Sequence, residues 1–202
     1  DTAPYEVLFT RDLPFEDMLR LKGIEELVEI YYNSNRFQKS LSYLVGLAAA
    51  PFDFFEKFRC FYEKNEHHLR PHSKVEQYDV LYEFGIGLSG CDGEKLRWLM
   101  KFDLYSHEKA KKLPSWLQED LTLPRREEVY AFYRKALEEE RLLREYEGLD
   151  PKQVYKMAHL EIFPFDPWTD ESAQTAVLFN YRDTDILGNA RATVVTLEKP
   201  YK

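Results

Sequence analysis

Leu21-Lys22-Gly23-Ile24-Glu25-Glu26-Leu27-Val28-Glu29-Ile30-Tyr31-Tyr32-Asn33-Ser34 sets the character of the chain. Leu21, Ile24, Val28 and Tyr31 recur at steps of three and four, which lines them along one face of a helix, while Glu25, Glu26 and Glu29 fall elsewhere. Working outward, Asp12 or Leu13 is placed to cap this helix with Pro14 in its opening turn, and the pattern runs to about Tyr32. Gly23 inside the periodic run costs about 1 kcal/mol relative to Ala. It marks either a local break or a close approach by another backbone, and the extended lead-in over residues 5–9 suggests that the neighbour belongs to an upstream core.

The apolar spacing then gives a succession of helices. Phe37, Leu41, Leu44 and Ala48 form one face; Pro51 stops that helix and opens the next, which carries Phe54, Phe55, Phe58, Phe61 and Tyr62. Ser73 and Glu76 make a capping box for a helix with Val75, Tyr78, Leu81 and Tyr82 inside, and Asp92 caps a fifth with Leu96, Leu99, Met100 and Leu104 inside. The polar run 107–112 reads as solvated surface before a turn at Trp116. Pro124 opens a helix to about Glu147, stopped by Gly148, with Val129, Phe132, Tyr133, Ala136 and Leu137 facing inward. Its second half reads as a protruding, charge-paired stretch with Glu140–Arg144 and Arg141–Glu145 four apart.

Past a short helix at Asp150-Pro151 the period falls to two, and residues 159–163, 175–181 and 191–197 read as strands of an antiparallel meander. The fold expected is α+β: about six helices in a body over 1–157 and a three-stranded sheet over 158–202 packed on it, all within one accessory domain over 1–202.

The wording of several segments carries more than their periodicity. Pro4-Tyr5-Glu6-Val7-Leu8, Leu21-Lys22-Gly23-Ile24-Glu25-Glu26, Tyr31-Tyr32-Asn33-Ser34, Glu161-Ile162-Phe163-Pro164-Phe165-Asp166 and Tyr181-Arg182-Asp183 resemble a domain of unknown function. That domain follows the catalytic core of cobalamin-binding-domain radical SAM proteins, loosely named after the anaerobic magnesium-protoporphyrin IX monomethyl ester cyclase. The resemblance implies a parent that uses a four-iron four-sulfur cluster, S-adenosylmethionine and cobalamin in methyltransferase- or cyclase-like chemistry on an unknown small molecule. It further implies that the upstream core of the same polypeptide is this chain's partner.

None of the resembling motifs is catalytic, and no catalytic, cofactor-binding or metal-ligating residue is assigned. A radical SAM cluster needs three closely spaced cysteines; here only Cys60 and Cys91 occur, far apart, and both read as structural. Gly85-Ile86-Gly87-Leu88-Ser89-Gly90 matches the dinucleotide fingerprint in letters but follows a helix and not a strand, so a helix C-cap and turn is the expectation. His67, His68 and His72, with Glu63 a turn earlier, have ligand chemistry suited to zinc or iron. Pro71 interrupts any shared helical face, so a polar helix end with no tight metal is expected. His107 and His159 read as a surface and a strand residue. Asp183-Thr184-Asp185-Ile186-Leu187-Gly188-Asn189 lacks the later ligands of an EF-hand and reads as a hairpin connection.

Net charge of −8 argues against phosphate-backbone binding, and no apolar run reaches the roughly 18 residues of a membrane span. With two cysteines and no signal sequence, a cytoplasmic setting is expected. An aromatic share of 15% leaves room for an apolar wall or interface, although the 52–62 helix reads first as core. The rival reading is a free-standing helical module for protein–protein interaction.

Overall fold

The computed structural model describes residues 14–110, 113–117, 126–138 and 143–197. The expected strand at 5–9, the Asp12 or Leu13 cap, the Pro124 helix start and the pairs involving Glu140 and Arg141 lie outside these residues. The chain divides into two compact units, Asp1–Cys91 and Asp92–Lys202, and the sheet shares the second with three helices. Seven α-helices and one antiparallel sheet of three strands among the described residues make the fold α+β.

In the first unit α1 spans Phe15–Leu27. Pro14 is its extended N-cap, one position earlier than the opening turn, with its carbonyl accepting from the Met18 N–H. At Val28 the bonding changes, and Val28–Asn33 continues as a π-helical segment. The buried line is Ile24, Leu27 and Tyr31, whereas Leu21 is exposed, so the inward face is offset from the one the spacing picks out.

α2 spans Gln38–Val45, α3 Pro51–Lys64 and α4 Lys74–Ile86. Proline at the start of α3 leaves no donor wanting, and Ser73 with Glu76 forms the capping box of α4. A lattice of rings fills the interior. Tyr31 lies 4.8 Å from Phe58 and 5.0 Å from Phe37, Phe37 lies 4.5 Å from Tyr78, and Phe58 stacks on Phe84 at 4.5 Å. Such pairs add about 0.5–1.5 kcal/mol each beyond their buried area, so much of the aromatic surplus is core.

Gly23 has a physical reason within this unit. A Cβ there would sit 3.0 Å from Arg59 Cδ and 3.1 Å from Cγ, so among the described residues the close neighbour is a side chain of α3.

In the second unit α5 spans Gly93–His107, capped by the Asp92 carboxylate accepting from the N–H groups of Glu94 and Lys95. α6 spans Arg126–Glu138 and α7 Pro151–Met157, the latter with an Asp150/Gln153 capping box. β1 (Ala158–Phe163), β2 (Thr175–Thr184) and β3 (Ala190–Val195) run in the order β1-β2-β3. Both sheet faces are covered. Leu160, Ile162, Ala176, Leu178 and Val195 pack with Val129, Tyr133 and Ala136 of α6 and Val154 of α7; Phe163, Val177 and Phe179 pack with Trp98, Phe102 and Tyr105 of α5. Burial on both faces explains the continuous apolar run Ala176-Val177-Leu178-Phe179.

The expected helix to Glu147 is corrected. α6 is described over Arg126–Glu138, and Arg144–Tyr146 forms not α-helix but a 3₁₀ turn whose flanking Leu143 and whose Tyr146 are buried. Exposed charge pairs are worth only tenths of a kcal/mol, less than burying these two side chains. The Tyr146 hydroxyl donates to Met157 O at 2.9 Å, and Glu145 accepts from Asn180 of β2 at 3.0 Å, so the segment folds back onto its unit and does not protrude.

Candidate functional site

The buried charges gather on the α5 face of the sheet. The register sets His159 opposite Phe179 and Glu161 opposite Val177, which puts both side chains on the face that meets Trp98, Phe102 and Tyr105. Lys101 sits on the same stripe of α5, one turn after Trp98 and one before Tyr105. Its Nζ lies 3.2 Å from Glu161 Oε2 and 4.8 Å from the centre of the Trp98 ring. Glu161 also accepts from the Ile162 N–H at 3.1 Å and from His159 Nε2 at 3.3 Å, while His159 stacks on Tyr105 with ring centres 3.7 Å apart.

The protonation states follow from these surroundings. Burial pulls His159 below its ordinary value against the opposing pull of Glu161. Burial alone would raise Glu161, but the His159 contact, Lys101 and the Ile162 N–H hold it below the usual carboxylate range. The resident pair is therefore Glu161⁻ with Lys101⁺, and neutral His159 donates its Nε2 proton. With Lys101 and Glu161 side chains each 2% exposed and the carboxylate engaged by three donors, the cluster anchors β1 to α5; it leaves a reactant no approach to the carboxylate.

Nearby, Lys109 corrects the solvated reading of 107–112. It is half-buried, donates to the carbonyls of Tyr155 and Ala158, the latter at 2.8 Å, and lies 4.6 Å from the Tyr155 ring centre. Burial pushes its pKa down to about 8. His107 Nδ1 lies 3.1 Å from Asn189 Oδ1 and is half-buried too. Residues 111 and 112 lie outside the described set.

In the first unit the histidines separate into a pair and a singleton. Asn65 closes α3, Glu66 takes a left-handed conformation at φ 59°, and a 3₁₀ turn over His67–Leu69 brings the chain round to Ser73. His67 and His72 thereby meet edge to face with ring centres 5.2 Å apart, against Tyr62 at 5.3 and 5.7 Å, while His68 is exposed. The turn supplies the convergence that no helical face could. Glu63 is engaged by Arg59 at 2.6 Å.

His72 Nε2 lies 2.9 Å from the His67 carbonyl oxygen, which only accepts, so this nitrogen carries a proton, and it is Nδ1 that holds the lone pair of the neutral ring. His72 Nδ1 and His67 Nε2 are both buried without a hydrogen-bond partner. Among the described residues no three His, Cys, Asp or Glu side chains gather closely enough to hold a metal.

The remaining motifs have local roles. The run 85–90 forms the C-terminal end of α4 and a turn, with Leu88 N bonded to Gly85 O and Gly90 at φ 83°. Asp185 accepts from the N–H groups of Leu187 and Asn189 at 2.8 and 2.9 Å and organises the β2–β3 connection, and Asp183 pairs with Arg191 at 2.8 Å. Cys60 is exposed and Cys91 half-buried, neither in a disulfide. Lys101 and Glu161 escaped the sequence reading, although a lysine on an apolar helix stripe and a glutamate inside an apolar strand were signals that could have marked them.

Architecture and buried charge together define a mainly helical α+β protein whose ionic cluster is structural. The chain belongs to the family described as protein of unknown function (DUF4080), whose sequence profile matches residues 1–179. Neither comparison with curated proteins nor comparison with solved structures gave a match. No helix among the described residues is long and apolar enough to cross a membrane.

Proposed function

We propose that this chain is the non-catalytic accessory part of a cytoplasmic radical SAM enzyme of the cobalamin-binding kind, placed after the catalytic core and shaping or covering its substrate side. The observation that carries this reading is the set of motifs at 4–8, 21–26, 31–34, 161–166 and 181–183, which resemble the domain found in that position. All but the last lie inside the stretch matched by the family profile. What those residues do is in keeping with an accessory role. Gly23 lies under Arg59, Tyr31 is part of the ring lattice, Glu161 anchors β1, and the Asp166 carboxylate accepts from the Trp168 N–H at 2.7 Å to shape a turn. The cluster, the S-adenosylmethionine site and the cobalamin site are then the business of the preceding core.

The test begins with the coding sequence upstream of Asp1 and continues with anaerobic purification of the full-length product. A Cys-x-x-x-Cys-x-x-Cys motif, about four irons per chain and reductive release of 5′-deoxyadenosine from S-adenosylmethionine are expected. An initiator methionine immediately upstream, with no iron bound, would transfer the case to a free-standing interaction module.

A further inference from the structure

We propose that His67 and His72 form a two-imidazole site for a borderline divalent cation such as Zn²⁺ or Cu²⁺, bound through His67 Nε2 and His72 Nδ1. The proposal is independent of the parent enzyme.

Three observations converge on it. The rings lie 5.2 Å apart, across a turn held in shape by the Ser73–Glu76 capping box and by the Arg70–Glu76 ion pair at 2.8 Å. His72 donates Nε2–H to the His67 carbonyl, and a ring N–H given to a backbone carbonyl is the arrangement that fixes the tautomer and raises the basicity of a metal-ligating imidazole. The nitrogen thus left with a free lone pair and Nε2 of the other ring are both buried and unpartnered, so a cation satisfies two groups that are otherwise unsatisfied. The charge around them favours a cation in part. Glu83 of α4 acts on His67 in that sense, and the opposing Arg70 is tied to Glu76.

Both rings are partly exposed, so the pair lies near the surface of its unit. Water completes the coordination. Imidazole donors select Zn²⁺, Cu²⁺ and Ni²⁺ over Mg²⁺ and Ca²⁺, and two protein ligands give an exchangeable site, not a permanent structural one.

The experiment uses the whole chain without a His-tag. Titration with Zn²⁺ alone, read by calorimetry, is expected to show one site per chain that is at least about tenfold weaker in each of His67→Gln and His72→Gln and unchanged in His68→Gln. Long-range ¹H–¹⁵N spectra of the unmutated protein give a reading that does not depend on how a variant folds. Zn²⁺ should shift Nε2 of His67 and Nδ1 of His72 and leave the His68 nitrogens in place. A Cu²⁺ complex should show coupling to two imidazole nitrogens in its electron-spin spectrum. Binding that survives both substitutions, binding lost equally in His68→Gln, or Zn²⁺ that leaves those two nitrogen resonances unmoved would overturn the site.

Discussion

At the scale of the residue, one ion pair with its imidazole neighbour accounts for the most consequential burial of charge. Glu161→Leu strands the Lys101 ammonium and Lys101→Met strands the carboxylate, so each is expected to cost about 3–5 kcal/mol. Because the groups are in contact, the cost of the Lys101→Met, Glu161→Leu double variant should fall well below the sum. Chemical denaturation of the four proteins measures this, and strict additivity would mean that the groups do not interact. The same cluster makes stability depend on pH in one direction. His159 is held below its ordinary value of about 6.5, so on acidification the unfolded chain takes up this proton first, and stability falls from about pH 6.5 down to the folded value. Glu161 is held below the ordinary value of about 4.3; its contribution is present above that pH and lost as pH falls through the folded value. Both slopes carry the same sign, while Lys101 and Lys109, which also face His159, oppose its protonation further. Melting temperatures recorded from about pH 8 to pH 4 should therefore decline toward acid, and His159→Gln should flatten the upper part of the decline. An unchanged slope in that variant would place the titrating group elsewhere.

At the scale of the element, α1 is where packing and propensity compete. The Arg59 stem that a Cβ at position 23 would meet is fixed at its far end, with Glu56 at 2.9 Å and Glu63 at 2.6 Å, and Arg20 of α1 reaches the same Glu56 at 2.8 Å. Gly23→Ala should therefore gain little in the unmutated protein, because about 1 kcal/mol of helix propensity is offset by displacing that stem. In an Arg59→Ala background the gain should reappear in full. Equal effects in the two backgrounds, measured by thermal or urea unfolding, would mean that the stem yields freely. The same contrast between local and distant causes explains what could be read from the residues. Ser73 with Glu76, Asp92, Pro51 and the short apolar runs bounded by turn residues in the last third act within a few positions, so the starts of α3, α4 and α5 and all three strands were legible. The π-helical segment, the 3₁₀ turn at Arg144–Tyr146 and the Lys101–Glu161 pair were not, because each depends on what packs from elsewhere. Tyr31 must meet Phe58, Tyr146 must reach Met157, and a lysine must find a glutamate sixty positions on. For the histidines, spacing along a helix was the wrong measure; a left-handed Glu66 and a five-residue turn set the distance instead.

At the scale of the whole molecule, two cysteines among 202 residues limit what the chain can hold. A radical SAM cluster takes three thiolates from one short loop, and the fourth iron is left for S-adenosylmethionine. Here Cys60 is an exposed residue of α3 whose sulfur accepts from Arg59 Nη2 at 3.4 Å, and Cys91 follows the turn after α4. Two thiols on separate elements supply neither the number nor the spacing, and His67 and His72 cannot make up the difference because their free nitrogens lie in a different turn. The chain expressed alone and reconstituted anaerobically with iron and sulfide should therefore carry no cluster, whereas under the proposed function the full-length product should carry one. Counting iron and sulfide, with visible absorption as the second readout, separates the two proteins. One cluster per chain in the isolated protein would show that these thiols are ligands, and the proposed division of labour between an upstream core and an accessory part would have to be abandoned.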